Sequence, residues 1–177
     1  QQAYLKAPQP ESGAGFGMSV ALSDDGHTVV VGAPFESHAQ GEGAVHVFRR
    51  AHGQWVAQAR VQPAAGGQAV LFGWRVALSA EGTSLAVGAR EGHADTAHGS
   101  VHVFARLAGQ WAPASRLEAA TPVAGDGFGH SMAFAADGGT LAVGARPSDA
   151  RRGDASARSG DVRVFSAAPS GWEPVAD

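Results

Sequence analysis

Five landmarks recur along the 177-residue chain in one order and at one spacing. Phe-Gly stands at Phe16-Gly17, Phe72-Gly73 and Phe128-Gly129, 56 residues apart each time. An acidic-Gly pair follows (Asp25-Gly26, Glu81-Gly82, Asp137-Gly138), then Val-Gly-Ala at 31–33, 87–89 and 143–145. Val-x-Val-Phe falls at 45–48, 101–104 and 162–165, and a tryptophan at Trp55, Trp111 and Trp172. The last two keep the 56-residue step once and then widen to 61, so the third copy carries five extra residues between Ala145 and Val162. A chain with such a period is built from units that stack on their neighbours to make a core.

Each copy contains four strand-like runs. The first alternates, with Val20 and Leu22 on one face and Ser19 and Ala21 on the other, the pattern of a half-buried strand. An Asp-Gly or Glu-Gly turn, a strong hairpin signal, leads to the second. That run (Val29 to Ala33, or Leu85 to Ala89) is apolar throughout, as a strand covered on both faces should be. The third is Ala44 to Phe48. A Gly-containing turn at His52-Gly53-Gln54 then opens a more polar fourth run through Trp55 to Val61, suited to an outer edge. The 25 glycines supply the turns such a chain needs.

Four antiparallel strands per repeat describe one propeller blade. The expected fold is all-β, a β-propeller portion of three four-stranded antiparallel blades in a single domain. Residues 1–15 form a displaced outer strand and linker, 16–71 blade 1, 72–127 blade 2, and 128–177 a blade 3 lacking its outer strand.

The run Phe-Gly-x-Ser-Val-Ala-Leu-Ser, then Asp-Gly, then Val31-Gly32-Ala33-Pro34, resembles the FG-GAP repeat, whose members form integrin α propeller heads and recur in bacterial surface and secreted proteins. The bacterial type is the nearer, including the closing Trp and the Ala-Tyr-Leu-Lys-Ala segment at 3–7. The resemblance implies a propeller and extracytoplasmic adhesion or recognition. It implies no reaction. Many members also bind calcium between the second and third strands through alternating Asp residues. Here those loops read Phe35-Glu36-Ser37-His38-Ala39-Gln40, Glu91-Gly92-His93-Ala94-Asp95-Thr96 and Ser148-Asp149-Ala150-Arg151. None supplies the six to eight oxygens calcium takes, so no cofactor is expected, with Asp154 and Asp161 as the residual candidates.

The two ends of the repeat array predict an assembly. Leu5 precedes Phe16 by 11 residues, as Val61 precedes Phe72 and Leu117 precedes Phe128. Tyr4, Leu5 and Lys6 therefore read as an outer strand displaced to the N-terminal side, the assembly strand. Two readings follow: two chains exchanging these strands into a six-blade C2 homodimer, or a piece of a longer propeller. Residues 1–5 have neither the basic nor the apolar region of a signal peptide, and the chain reads as part of something longer. No apolar run approaches the roughly 18 residues of a membrane-spanning helix, so no membrane insertion is expected. A net charge of −3 without a Lys/Arg run argues against nucleic acid; Arg151, Arg152 and Arg158 read as a solvated loop.

The candidate ligand rim is the position after Phe-Gly, which varies within a constant motif: Met18, Trp74 and His130, with Arg75 where the other copies have Ser19 and Ser131. His46 and His102 read as packing residues between blades, as do Phe16, Phe72 and Phe128, while the repeat tryptophans read as cover for the outer edge. His93, Asp95 and His98 have a spacing open to zinc or nickel, against a loop too flexible to preform a site; no metal site is assigned. With no cysteine, thiolate sites are excluded. No Gly-x-Ser-x-Gly elbow, carboxylate pair or phosphate loop appears. The reading is a non-enzymatic module for protein or glycan recognition, extracellular or on a bacterial surface or in the periplasm. The alternatives are a propeller piece whose main property is homo-oligomerisation, and an enzyme with a loop-built site.

Overall fold

A computed structural model describes residues 3–36, 42–63, 69–91, 98–122, 125–146 and 160–175. Among them are twelve strands and no helix. Blade 1 holds β1 (Ser19–Leu22), β2 (Thr28–Ala33), β3 (Ala44–Ala51) and β4 (Gln54–Val61). Blade 2 holds β5 (Ala69–Leu78), β6 (Ser84–Glu91), β7 (His98–Leu107) and β8 (Gln110–Glu118). Blade 3 holds β9 (Gly127–Phe134), β10 (Thr140–Arg146), β11 (Asp161–Ala168) and β12 (Gly171–Pro174). Each set is one antiparallel sheet paired in chain order, from β1 to β4, β5 to β8 and β9 to β12.

The local chemistry repeats with the sequence. Gly26, Gly82 and Gly138 each take φ near +66° (+66°, +67°, +66°) in the acidic-Gly turn, a conformation that costs glycine little. A bulge falls between Val47 and Phe48 and again between Val103 and Phe104, which sharpens the twist of the outer hairpin.

The core lies between blades. One cluster joins Val45, Val47 and Val61 of blade 1 to Phe72, Leu85, Val87 and Phe104 of blade 2. The second joins Val101, Val103 and Leu117 of blade 2 to Phe128, Leu141, Val143 and Phe165 of blade 3. Phe72 and Phe128 are the wedges, fully buried and edge-on to Phe104 and Phe165 at 6.0 and 6.1 Å. Trp111 and Trp172 lean on these same clusters, so they help pack one blade against the previous one as well as closing their own outer edge.

Two expectations change. The apolar face of β1 is its exposed face: Val20 and Leu22 are 64% and 55% accessible, while Ala21 packs inward. Their counterparts Val76 and Leu78, and Met132 and Phe134, pack against the preceding blade, and no described blade precedes blade 1. Blade 3 does carry an outer strand, because β12 folds back on β11 with Trp172 opposite Ala167 and Val175 N–H donating to the Val164 carbonyl. Residues 3–7 pair with no strand among the described residues; Tyr4 is 75% exposed.

Candidate ligand cleft between blades 2 and 3

The inner strands begin, and the second strands end, at one rim of the blades. There Trp74, at the start of the inner run of β5, and His130, in β9, line a cleft of about 340 Å³ between blades 2 and 3. Arg90, at the end of β6, and Arg146, at the end of β10, line it too, with Leu71 and Asp126. Its size is at the small end of the range for ligand pockets.

Backbone and side chains together hold this wall. Arg75 Nε donates to the His130 carbonyl at 3.1 Å and Nη1 to the Trp74 carbonyl at 3.0 Å, tying blade 2 to blade 3. The Arg75 guanidinium also lies 5.6 Å from the Trp74 ring centroid, and Phe35 meets that ring edge-on at 6.3 Å. Asp126 Oδ1 accepts from the Gly99 N–H at 2.9 Å, so its carboxylate serves the loop. Leu71 has φ +56°, a genuine outlier for a bulky residue, where the first repeat has Gly15 at φ +70°. The Arg146 stem crosses Gly127, and a Cβ there would collide with it.

The field is cationic. Burial, then the charges of Arg75 and Arg146, push His130 below the usual histidine value, which keeps its ring neutral at pH 7. The cleft thus offers an indole, a neutral imidazole and two exposed guanidiniums. That set suits a ligand with an apolar face and an anionic group.

A second polar cluster fastens the loop after β2. Glu36 is buried (2%); its Oε1 accepts from Arg60 Nε and its Oε2 lies against His46 Nε2, both at 2.6 Å. Burial alone would raise the Glu36 carboxyl; the hydrogen bonds from His46 and Arg60 outweigh it and hold the group below its usual range. Blade 2 repeats the idea with His98 Nε2 2.9 Å from Glu118 Oε1 and Arg116 on the same oxygen. Both Glu36 oxygens are already taken up within the protein, one by Arg60 Nε and one by His46 Nε2, which leaves neither free for a calcium ion. Among the described residues no group of three or more His, Asp or Glu could hold a metal ion.

Of the rim residues expected from sequence, Trp74 and His130 line the cleft and Arg75 braces it. Met18 stands apart on blade 1, 42% exposed. Arg90 and Arg146 escaped the sequence reading, although both follow Val-Gly-Ala at the 56-residue step, where the first copy has Pro34. His46 and His102 are packing residues, edge-on to Phe16 and Phe72 at 5.5 Å each. His93, Asp95, Asp154, Arg151, Arg152 and Arg158 lie outside the described residues. Asp161 is exposed, 3.5 Å from Arg163.

The model of the FG-GAP repeat matches residues 1–48 and 55–104, more than half of the chain. The chain belongs to the FG-GAP repeat family. FG-GAP repeats are generally non-enzymatic propeller modules, typical of extracellular proteins. No curated protein matches the chain. Among solved structures it is similar to one described as "Crystal structure of the eukaryotic initiation factor", with a TM-score of 0.55 and 12% identity. That likeness covers 91% of this chain and 31% of the other, and concerns the fold alone. No described helix is long and apolar enough to cross a membrane.

Proposed function

We propose that this FG-GAP chain is a non-enzymatic recognition or adhesion module of an extracellular or bacterial cell-surface protein. It takes its ligand in the cleft between blades 2 and 3 and works within a propeller completed by self-assembly. The observation that carries the binding role is the convergence of Trp74, His130, Arg90 and Arg146 on one cleft at the blade rim. The ligand is a glycan or protein segment whose anionic group sits between the two guanidiniums while its apolar side rests near the indole.

The test is a glycan and peptide array, followed by titration of the hits. Trp74→Ala and the Arg90→Ala/Arg146→Ala pair should each weaken binding at least about tenfold, the scale of one lost anchor. The pair should spare neutral ligands. A blank array, or hits that survive both variants unchanged, would remove the reading. A second reading, a piece of a longer propeller whose own flanking blades cover the ends, is favoured by the 31% share of the similar structure.

A further inference from the structure

Among the described residues the joint between blades occurs twice, and each half of it recurs once without the other, on the outer faces of blade 1 and blade 3. Where blade 1 meets blade 2, the Gly73 carbonyl lies against Gly32 so closely that a Cβ on Gly32 would collide with it. Ser19 Oγ donates to that same carbonyl at 2.8 Å. Where blade 2 meets blade 3, a Cβ on Gly88 would stand 2.8 Å from the Gly129 carbonyl oxygen. Arg75 replaces the serine there and reaches the next carbonyl, that of His130.

The far face of blade 3 repeats the receiving half. Gly144 occupies the place of Gly32 and Gly88, and Ser131 that of Ser19. Ser131 Oγ stands over Gly144 as Ser19 Oγ stands over Gly32, and has no hydrogen-bond partner among the described residues. An open groove runs here past Ser131, Gly144, Ala145, Gly160 and Val162. Val162 is 69% exposed, whereas its counterparts Val45 and Val101 are fully buried.

The free face of blade 1 repeats the inserting half. Gly17 has φ +94°, against +93° for Gly73 and +82° for Gly129, so it shares the left-handed backbone conformation of the two inserting glycines. Val20 and Leu22 lie exposed beside it. Leu5 holds the place of Val61 and Leu117, which face Val45 and Val101 across the outer strand pair.

We propose that the far face of blade 3 receives blade 1 of a second copy of this chain. The Gly17 carbonyl of one copy seats on Gly144 of the other and accepts from Ser131 Oγ, with Leu5 facing Val162. The second copy is the occupant because the two faces match residue by residue the two joints already formed. Such a contact is head-to-tail, and closing it twice gives a C2 ring of six blades. That number lies within the four to eight of known propellers. The inference rests on the self-assembly part of the proposed function and names the surface that performs it.

Gly144→Ala tests it. In the single chain the new methyl meets only the rotatable Ser131 hydroxyl as a tight contact. In the joint it would strike the Gly17 carbonyl. Light scattering at micromolar concentration should give the parent about 36 kDa, twice 17.9 kDa, and Gly144→Ala 17.9 kDa with the parent's circular dichroism. Ser131→Ala removes one neutral hydrogen bond from each of the two joints and should raise the dissociation constant of the dimer about thirtyfold. Should Gly144→Ala lose its spectrum, Val162→Asp, a change at an exposed side chain, decides on the same terms. A parent of 17.9 kDa at every concentration overturns self-assembly and the joint with it. A parent and both variants that all double overturn the joint alone.

Discussion

Phe72→Ala is expected to lower the unfolding free energy by about 3–5 kcal/mol, read as a fall in the urea midpoint. The ring is fully buried between blade 1 and blade 2, edge-on to His102 and Phe104. Its N–H donates to the Glu42 carbonyl at 2.9 Å, so the backbone is pinned and cannot collapse into the space an alanine would leave. Phe16→Ala is the built-in control. It removes the same side chain from the same repeat position on the open face, and in the dissociated chain it should cost well under half as much. Equal costs for the two would mean that burial between blades does not set the energy.

Glu36→Gln should cost about 2–3 kcal/mol by the same measurement. Removing one member of a buried ion pair costs about 3–5 kcal/mol, and the partial exposure of Arg60 (27%) lets its charge recover some hydration. The carboxyl's pKa is lowered in the fold, so the stability it contributes is present above its ordinary value of 4.5 and lost as pH falls through the lowered value. The parent should therefore lose stability on acidification below about pH 4.5, and Glu36→Gln should flatten that limb. An identical acid limb in both proteins would show that Glu36 is not the group responsible.

The repeat made the strands, turns and wedges legible. Phe72 and Phe128 pack where a repeated aromatic should, and the uniformly apolar second run is the covered one. What the period could not show is which copy of a surface is covered. Val20 and Val76 occupy one place in the repeat, yet one faces solvent and the other a neighbouring blade. The extent of β12 was equally hidden, since a short hairpin from β11 needs only a turn at Pro169-Ser170 and local pairing. At the cleft, Trp74 and His130 stood out as variation inside a constant motif. Arg90 and Arg146 did not, because their meaning comes from two blades converging at one rim. Glu36 was legible only as a missing calcium ligand; its burial against His46 and Arg60 comes from the strand pair that sets His46 opposite Arg60.

In the proposed assembly the end faces of the chain become the same surfaces as its internal joints. Hydrogen–deuterium exchange across a dilution series tests it on those faces. Peptides covering Ser19–Leu22 and Asp161–Val164 should gain protection as concentration rises, approaching that of the buried Val101–Phe104 stretch. Exchange at both ends that stays fast and independent of concentration, while Val101–Phe104 stays protected, would contradict it.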